Sequence, residues 1–204
     1  MVHIVDDDEA VRESLALLLD SVGIRSRTYP NARAFLESDF RNTHGCVVLD
    51  IRMPGMSGME LHERLIEMGV EMPVIFITGH GDVPMAVEAM KRGAAEFIQK
   101  PFREQALLDC INRALETDAR RRAERAEIDA IRARIASLTP RERQVMELIV
   151  QGKANKVIAF DLGLSQRTVE IHRAHVMEKM QTRSLAELVR QVMLAGDLGE
   201  TPAD

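Results

Sequence analysis

Aromatic residues and cysteines are scarce in this sequence. It contains no Trp, one Tyr and six Phe among 204 residues, so aliphatic side chains and 12 Met must fill its interior. Cys46 and Cys110 are its two cysteines, too few for a disulfide framework or for a zinc site with four thiolates. We therefore expect a cytoplasmic protein whose thiols stay reduced.

Long hydrophobic runs are absent as well. No apolar stretch approaches the roughly 18–20 residues needed to cross a bilayer. The chain begins with a short apolar run followed by acids, whereas a signal peptide has a basic segment followed by a longer apolar one. The sequence thus predicts no membrane association, while its 46% hydrophobic residues are ample for a core.

Positive and negative charges are unevenly distributed along the chain. The net charge is −5, with −8 in residues 1–118 and +3 in residues 119–204. Such asymmetry suggests two modules with different partners, and the positive part favours nucleic acid. We predict a first domain over 1–118, a linker helix over 119–138 and a second domain over 139–204.

Short β-rich runs alternate with amphipathic helical patterns in the first domain. The alternation predicts an α/β fold with a doubly wound, parallel, five-stranded sheet whose strands all end at one edge. In the commonest strand order of this kind, the first and third strands are neighbours. The predicted strands are Val2–Val5, Ile24–Thr28, Cys46–Leu49, Val74–Ile77 and Glu96–Ile98.

The rest of the chain is predicted to be helical. The stretch from Glu116 to Leu138 is rich in Ala, Arg and Glu, lacks Gly and Pro, and predicts one long helix that can continue the preceding one. Its apolar stripe either packs on its own domain or forms a seam between two chains. The stripe consists of Ile128, Ile131, Ile135 and Leu138.

Capping residues divide the last segment into four further helices. Thr139 and Ser184 each begin a predicted capping box, and Asn155 and Ser165 are predicted N-caps of the second and third helices. Gly163 is placed to end the second helix. Four short capped helices are typical of a helix-turn-helix DNA-binding domain, although a protein-interaction module of four helices fits the same pattern.

Acidic residues collect where the predicted strands end. Asp6 and Asp7 follow the first strand and Asp50 follows the third, so their carboxylates are expected in one pocket. Clustered carboxylates repel one another unless a cation joins them, and an all-oxygen site suits Mg²⁺. Thr78 and Lys100, at the ends of the fourth and fifth strands, add a hydroxyl and an ammonium. Such a set suits phosphoryl transfer onto a carboxylate.

Four blocks of the first domain resemble the signature of the response-regulator receiver domain. The blocks are VDDDEAVR, VVLDIRMPGMSG, VIFITGHGD and FIQKPF. The resemblance implies that Asp50 accepts a phosphoryl group from a sensor histidine kinase. It also implies that Asp7, Asp50 and the Arg52 carbonyl ligate Mg²⁺, with Asp6 acting through water, and that the Lys100–Pro101 peptide bond is cis.

The same resemblance implies a conformational switch. Thr78 and Lys100 would contact the phosphoryl oxygens, and an inward movement of Thr78 would leave space for Phe97. The face formed by residues 83–92 and 96–98 would then repack and become a homodimer interface. Its candidate residues are Val87, Met90 and Lys91.

The last segment resembles the LuxR-type helix-turn-helix domain over LTPRERQVMELIVQGKANKVIAFDLGLSQRTVEIHRAHVMEKM. The resemblance implies promoter DNA as a ligand and RNA polymerase as a partner. The third helix would enter the major groove, where Arg can bind guanine and Glu cytosine. Some relatives carry lysines at the positions of Glu170 and Ala174, which implies a different operator here. The candidate DNA contacts are Lys156, Arg167, Thr168, Glu170, Ile171, Arg173, Ala174 and Lys179.

Together the two resemblances predict a transcriptional activator controlled by phosphorylation rather than an enzyme. The blocks GHGDVPMAVEAMK and RTVEIHRAHVMEKM are most similar to a subfamily of nitrogen-fixation regulators, whose partner kinase senses oxygen through haem. A haloacid dehalogenase-like aspartyl-phosphate phosphatase is the alternative, with Asp6 as nucleophile, because Asp6 and Asp8 have Asp-x-Asp spacing. In the first interpretation Asp8 only begins a helix.

Overall fold

The computed structural model describes residues 1–79 and 83–196. Residues 80–82 of the VIFITGHGD block and the end of the second predicted domain, 197–204, lie outside the described residues. The chain divides into two compact units, Met1–Arg122 and Ala123–Asp204. The division falls inside the segment predicted as a linker helix. In the described part of the chain, no helix combines the length and the apolarity needed to cross a membrane.

The first unit contains a five-stranded parallel sheet with the strand order β2-β1-β3-β4-β5. The predicted doubly wound α/β fold is therefore confirmed, and the first and third strands are neighbours as expected. The strands are β1 (Val2–Val5), β2 (Ser26–Tyr29), β3 (Cys46–Asp50), β4 (Val74–Thr78) and β5 (Glu96–Gln99). The helices of this unit are α1 (Glu9–Ser21), α2 (Ala32–Leu36), α3 (Gly58–Glu67), α4 (Val83–Lys91) and the first part of α5 (Glu104–Ala136).

Two apolar layers cover the sheet. Val5, Leu49 and Phe76 pack on one face with residues of α2, α3 and α4. Ile4 and Val48 pack on the other face with residues of α1 and α5. Because successive residues of a strand point to opposite faces, the position of a residue along its strand decides which layer its side chain joins.

The second strand begins later than the sequence pattern predicts. Ile24 was expected to start it, but the Ile24 N–H donates to the Leu19 carbonyl at 2.9 Å and completes the last turn of α1. Gly23 permits this turn because its φ of 73° lies in the left-handed region, which side chains with a Cβ rarely adopt. The strand consequently runs over Ser26–Tyr29.

Both cysteines are buried in the first unit. Cys46 lies on β3 with no exposed surface, and Cys110 lies on α5 with 9% of its surface exposed. Burial raises the pKa of the Cys46 thiol to about 12. Burial also raises the pKa of the Cys110 thiol. The two thiols are therefore protonated at neutral pH, and a thiol is a poor nucleophile.

α5 is one continuous helix of 33 residues that links the two units, as predicted. Near its end, Ile131, Ile135 and Leu138 are buried in the core of the second unit, while Ile128 is half-buried. The predicted apolar stripe thus packs within the chain. This packing leaves little of the stripe for a seam between two chains.

Within its described residues, up to Gly196, the second unit contains four further helices. They are α6 (Pro140–Val150), α7 (Asn155–Leu162), α8 (Gln166–Lys179) and α9 (Leu185–Ala195). The end of α5 is tied to the C-termini of two of them. The Arg134 guanidinium donates to the Met180 carbonyl after α8 at 3.0 Å, and Arg132 donates to the Ala195 carbonyl of α9 at 3.3 Å. Each arginine satisfies a carbonyl that has no partner within its own helix.

Two of the predicted caps differ from those observed. Asn155 is the first residue of α7 rather than its N-cap, and its Oδ1 accepts a hydrogen bond from Arg173 at 3.2 Å. Glu187 accepts from the Arg183 N–H at 2.9 Å, so the capping box at Ser184 is only half formed. By contrast, the predicted capping box at the start of α6 and the serine cap of α8 are present.

Candidate functional site

Three charged side chains meet at the C-terminal edge of the sheet. Asp6 directly follows β1, Asp50 ends β3 and Lys100 directly follows β5. Each lies two residues after a strand residue that packs in the layer of α1 and α5. These strand residues are Ile4, Val48 and Ile98, respectively. The alternation of side chains therefore directs all three to the same face, and the strand order brings them together.

The Lys100 ammonium bridges the two carboxylates. Its Nζ lies 2.8 Å from Asp6 Oδ2 and 3.0 Å from Asp50 Oδ1. The second oxygen of each carboxylate accepts a backbone hydrogen bond. Asp6 Oδ1 accepts from the Asp8 N–H at 2.9 Å, and Asp50 Oδ2 accepts from the Arg52 N–H at 2.7 Å. Each carboxylate therefore accepts a hydrogen bond at each of its two oxygens.

Burial and neighbouring charges shift the pKa values of this cluster in opposite directions. Asp6 is 1% exposed and Asp50 is 6% exposed. Burial raises the pKa of Asp50 above its usual value, although the hydrogen bond and charge of Lys100 oppose the rise. Burial by itself would lower the pKa of Lys100, but its bonds to the two carboxylates outweigh burial and raise it. Two buried carboxylates share one ammonium, an arrangement that favours a further cation.

Backbone contacts position the charged groups. The Lys100 N–H donates to the Thr78 carbonyl at 2.8 Å, and the Lys100–Pro101 peptide bond is cis, as the resemblance implied. The Arg12 guanidinium donates to the Asp6 carbonyl at 2.8 Å.

Gly58, at the start of α3, packs directly on the phosphoryl-acceptor candidate. A Cβ at this glycine would lie 2.2 Å from the Asp50 carbonyl oxygen. The contact requires glycine, because real Cβ atoms do not approach a backbone oxygen so closely. Sequence reasoning missed both Gly58 and Arg12. Gly58 directly follows Ser57, the N-cap of α3.

The structure brings together only some of the predicted Mg²⁺ ligands. Asp6 and Asp50 converge, whereas the Asp7 side chain is exposed. In the part of the chain that the structure describes, no three acidic, imidazole or thiol side chains form a group able to hold a metal ion. The chemistry of the donors nevertheless fits Mg²⁺, which binds through one or two carboxylates and keeps several waters. The buried Asp6 and Asp50 pair, with a single ammonium between them, meets that requirement.

Thr78 and Phe97 lie on the same face of the sheet. Thr78 is the last residue of β4 and is 1% exposed. Two residues earlier on β4, Phe76 pairs with Phe97 of β5 and packs in the layer of α2, α3 and α4, against which the half-buried Phe97 also packs. Side chains two residues apart share a face. Thr78 and Phe97 are thus diagonal neighbours on adjacent strands.

The predicted dimer face is exposed on α4. Val87 and Met90 each expose 45% of their surface, and Lys91 is exposed as well. Two large apolar side chains three residues apart lie on one side of a helix. That side of α4 is therefore available to a partner.

α8 presents opposite faces to the core and to solvent. Val169 and Val176 are fully buried in the second unit. Thr168 is half-buried and belongs to the cap of α8, because its hydroxyl lies 2.8 Å from that of Ser165. The other predicted base-contacting residues of α8 are exposed: Arg167, Glu170, Ile171 and Ala174.

Besides Thr168, two more of the predicted DNA contacts have partners within the chain. The Lys179 ammonium donates to Glu142 Oε2 at 2.6 Å, and Arg173 donates to Asn155. Glu142 is 4% exposed. The hydrogen bonds from Lys179 and from the Thr139 N–H hold the pKa of Glu142 well below its usual value, at about 2. Lys179 and Arg173 thus stabilise the packing of α8, whereas Lys156 is exposed.

Asp8 has the role of a helix cap. Its Oδ1 accepts from the Ala10 N–H at 2.9 Å and from the Val11 N–H at 3.4 Å, which makes it the N-cap of α1. Because Asp8 caps α1, Asp6 and Asp8 do not form the pair of catalytic acids that the phosphatase alternative requires. Asp6 contacts Lys100 instead.

Comparison with known families matches both units. Residues 2–112 match the model of the response regulator receiver domain. Residues 136–192 match the model of bacterial regulatory proteins of the luxR family. These matches confirm both resemblances found in the sequence, and they do not support the phosphatase alternative.

Similar proteins span nearly the whole chain. The transcriptional regulatory protein FixJ of Azorhizobium caulinodans is 51% identical over all of this chain and 95% of its own length. The solved structure of the response regulator StyR is 50% identical with a TM-score of 0.86, and it covers 94% of this chain and 97% of its own. Full-length FixJ from B. japonicum is 47% identical with a TM-score of 0.59 over 97% and 98% of the two chains.

Proposed function

The chain belongs to the two-component response regulators that combine a receiver domain with a LuxR-type DNA-binding domain, and we propose that Asp50 is its phosphoryl acceptor. Proteins of this family are transcriptional regulators that phosphorylation activates. The observation that carries the proposal is the placement of the buried Asp50 carboxylate 3.0 Å from the Lys100 ammonium. Lys100 can follow the phosphoryl oxygens and neutralise the charge that they add.

The reaction transfers a phosphoryl group from a kinase histidine to Asp50. The phosphorus–nitrogen bond to the imidazole breaks while a phosphorus–oxygen bond to the Asp50 carboxylate forms, with the imidazole as leaving group. Asp7, Asp50 and the Arg52 carbonyl would hold Mg²⁺ directly and Asp6 would hold it through water, and the ion would supply positive charge that neutralises the transferred group. The Thr78 hydroxyl would donate a hydrogen bond to a phosphoryl oxygen.

A groove next to Lys100 supports docking of the kinase. The groove has a volume of about 410 Å³ and lies between α1 and the segment that follows β5. Val11, Leu18 and Phe102 give it apolar walls, and Lys100 also lines it. A helix seated there would bring a phosphohistidine to Asp50. Because FixJ proteins are close relatives, the partner kinase is proposed to be FixL-like, with nitrogen fixation as the regulated process.

Phosphorylation is proposed to create a dimer through α4. The hydroxyl of Thr78 moves toward the phosphoryl group, and Phe97 turns into the space it leaves. The exposed Val87 and Met90, with Lys91 beside them, then pack against the same surface of a second chain. A symmetric dimer presents two copies of α8 to an operator with two half-sites.

DNA recognition is assigned to the exposed residues of α8. Arg167 and Glu170 can hydrogen-bond base edges, while Ile171 and Ala174 can contact the methyl group of thymine. Lys156 on α7 is placed for a phosphate contact. Thr168, Arg173 and Lys179 support α8 within the protein. RNA polymerase is the proposed downstream partner.

Phosphoryl labelling of variants tests the proposal. With acetyl phosphate and Mg²⁺, Asp50→Asn should lose the acid-stable, base-labile label that the wild-type protein acquires, because the acceptor oxygen is gone. Asp20→Asn, which removes an exposed carboxylate of the same unit, should keep it. Label that survives in Asp50→Asn but disappears in Asp6→Asn would contradict the assignment.

A further inference from the structure

Arg12 on α1 donates a hydrogen bond to the chain segment that ends β1. Its Nη1 lies 2.8 Å from the carbonyl oxygen of Asp6, six residues earlier in the chain, and its side chain is half-buried. The acceptor is a neutral carbonyl, although the carboxylates of Asp7, Asp8 and Glu9 are nearer along the chain. Because a charged donor forms a stronger hydrogen bond than a neutral one, the contact holds this peptide group firmly.

The Asp6 carbonyl lies where the pairing between β1 and β2 stops. The last paired residues are Val5 and Tyr29, and the Asp6 N–H donates to the Tyr29 carbonyl at 3.3 Å. The chain then leaves the sheet, since Asn31 is already the N-cap of α2. A carbonyl at the end of a strand still requires a donor. Arg12 supplies that donor from a side chain of α1.

This hydrogen bond determines the orientation of the residue that follows Asp6. The Asp6 carbonyl and the Asp7 N–H belong to one planar peptide group, so a bond that fixes the carbonyl also fixes the direction in which the chain continues to the Asp7 Cα. The Asp6 side chain is held separately by Lys100 and by the Asp8 N–H. The Asp7 side chain is exposed, and the backbone therefore decides where its carboxylate is presented.

We infer that Arg12 is a positioning residue of the Mg²⁺ site and acts on Asp7 through the Asp6 carbonyl. The inference rests on the proposed function, in which Asp7 is a direct ligand of the ion, and it adds a residue outside the set of ligands. Hydrogen-bonding groups that orient metal ligands typically contribute about 10–100-fold to metal affinity. Arg12 raises the affinity for the ion without contacting it.

The charge of Arg12 by itself predicts the opposite effect. A guanidinium beside an acidic site repels a further cation, so its removal would strengthen Mg²⁺ binding if Arg12 acted through charge alone. If Arg12 served only to stabilise α1, its removal would lower the free energy of unfolding and leave the Mg²⁺ affinity unchanged. The direction of the change in affinity therefore separates positioning from both alternatives.

Mg²⁺ titration of the full-length unphosphorylated protein, followed through its amide NMR signals, tests the inference. Arg12→Met, which keeps an unbranched side chain but removes the donor, should raise the Kd for Mg²⁺ about tenfold. Two matched variants should keep the wild-type Kd. Arg64→Met removes an exposed arginine that pairs with Glu67 and reproduces the change in charge. Leu19→Val weakens the packing of α1, because Leu19 is 1% exposed and lies near the end of α1 that is remote from Asp6.

Phosphoryl labelling with acetyl phosphate provides a second measurement. Arg12→Met should need about tenfold more Mg²⁺ to reach half of its maximal rate, while its rate at saturating Mg²⁺ should approach that of the wild-type protein. Urea unfolding shows whether each variant is folded. If Arg12→Met does not fold, Arg12→Gln replaces it with the same expected result, because the glutamine amide nitrogen ends two bonds short of the position of Nη1.

The outcomes distinguish failure of the inference from failure of the proposed function. An unchanged or lower Kd for Mg²⁺ in a folded Arg12 variant would overturn the inference and leave the proposed function intact. An equal rise in Kd in Arg64→Met or Leu19→Val would also overturn it, because net charge or the packing of α1 would then explain the effect. A wild-type protein that binds no Mg²⁺ would overturn the proposed ion site itself, and the inference with it.

Discussion

Lys100 is the residue that joins the two buried carboxylates of the proposed phosphorylation site. Its single ammonium lies within 3.0 Å of both Asp6 and Asp50. A phosphoryl group on Asp50 would compete with Asp6 for this ammonium. The proposed switch would therefore include the loss of one short contact at the end of β1.

A second buried residue, His3, makes the stability of the first unit dependent on pH. Its Nδ1 lies 2.9 Å from the Tyr29 hydroxyl and its Nε2 lies 2.8 Å from the Thr43 hydroxyl. Burial, followed by the N-terminal ammonium and Arg27, lowers the pKa of His3 to about 4. The imidazole is consequently neutral in the folded protein, whereas it is protonated below about pH 6.5 in the unfolded chain.

We predict that the first unit loses stability as the pH falls from about 6.5 to 4. In this range the unfolded state binds more protons than the folded state, so the free energy of unfolding falls by roughly 2 kcal/mol between pH 7.5 and 5. Tyr29 is the only tyrosine and the chain has no tryptophan, so its fluorescence during urea unfolding reports on this unit alone. His3→Gln should remove much of the dependence. A variant whose dependence equals that of the wild-type protein would contradict this origin.

The sequence predicted the site residues well where strand position decides them. Asp6, Asp50 and Lys100 were predicted to converge because parallel strands end at one edge, and they do. Gly58 and Arg12 were not predicted, because their roles depend on close backbone approaches that no periodic pattern reveals. The pairing of Lys179 with Glu142 was not predicted either, because the two residues lie 37 positions apart in the chain and on different helices.

Among the elements, α5 belongs to both units. Its first part packs on the sheet through Leu107 and Ile111, and its end packs in the second unit through Ile131 and Ile135. Helix continuity could be predicted from the absence of Gly and Pro. The partner of its apolar stripe could not, because a 3-4-3 spacing fits a neighbouring helix of the same chain and a second chain equally well.

Substitutions in α5 distinguish packing of the apolar stripe within the chain from packing between two chains. Ile131→Ala should lower the free energy of unfolding of the second unit by about 2–4 kcal/mol, because Ile131 is fully buried and its loss leaves a cavity. Ile128→Ala, at a half-buried position of the same helix, should cost about 1 kcal/mol or less. Circular dichroism during thermal unfolding measures both. Equal losses that depend on protein concentration would support the seam between chains instead.

For the whole molecule, the location of the positive charge matters. Residues 139–204 contain nine Lys and Arg and nine Asp and Glu, so the surplus of +3 lies in residues 119–138. The helix-turn-helix segment is thus neutral overall. Its own charge therefore does not indicate DNA binding, contrary to the expectation drawn from residues 119–204 as a whole. Without a general attraction to phosphate, a single copy should bind DNA weakly. Occupancy should then depend on pairing two copies.

We predict that phosphorylation changes the salt dependence of DNA binding. The slope of log K against log salt concentration is about −0.9 for each phosphate neutralised. A dimer neutralises twice as many phosphates as a monomer, so the phosphorylated wild-type protein should show about twice the slope of Asp50→Asn. Fluorescence anisotropy of a labelled duplex between 50 and 200 mM salt, a range chosen around the physiological value of roughly 150 mM, measures both slopes. Equal slopes would contradict activation through dimerisation.

The burial of both thiols limits which signals can reach this protein directly. Redox sensors use cysteines that are exposed and ionised, whereas Cys46 has a pKa of about 12 and Cys110 is buried with a raised pKa. Oxygen or peroxide therefore finds no responsive sulfur on these two residues. If the controlling signal is an oxidant, these two thiols are unsuited to detect it, and the proposed phosphoryl transfer is the route by which a partner reports it to this chain.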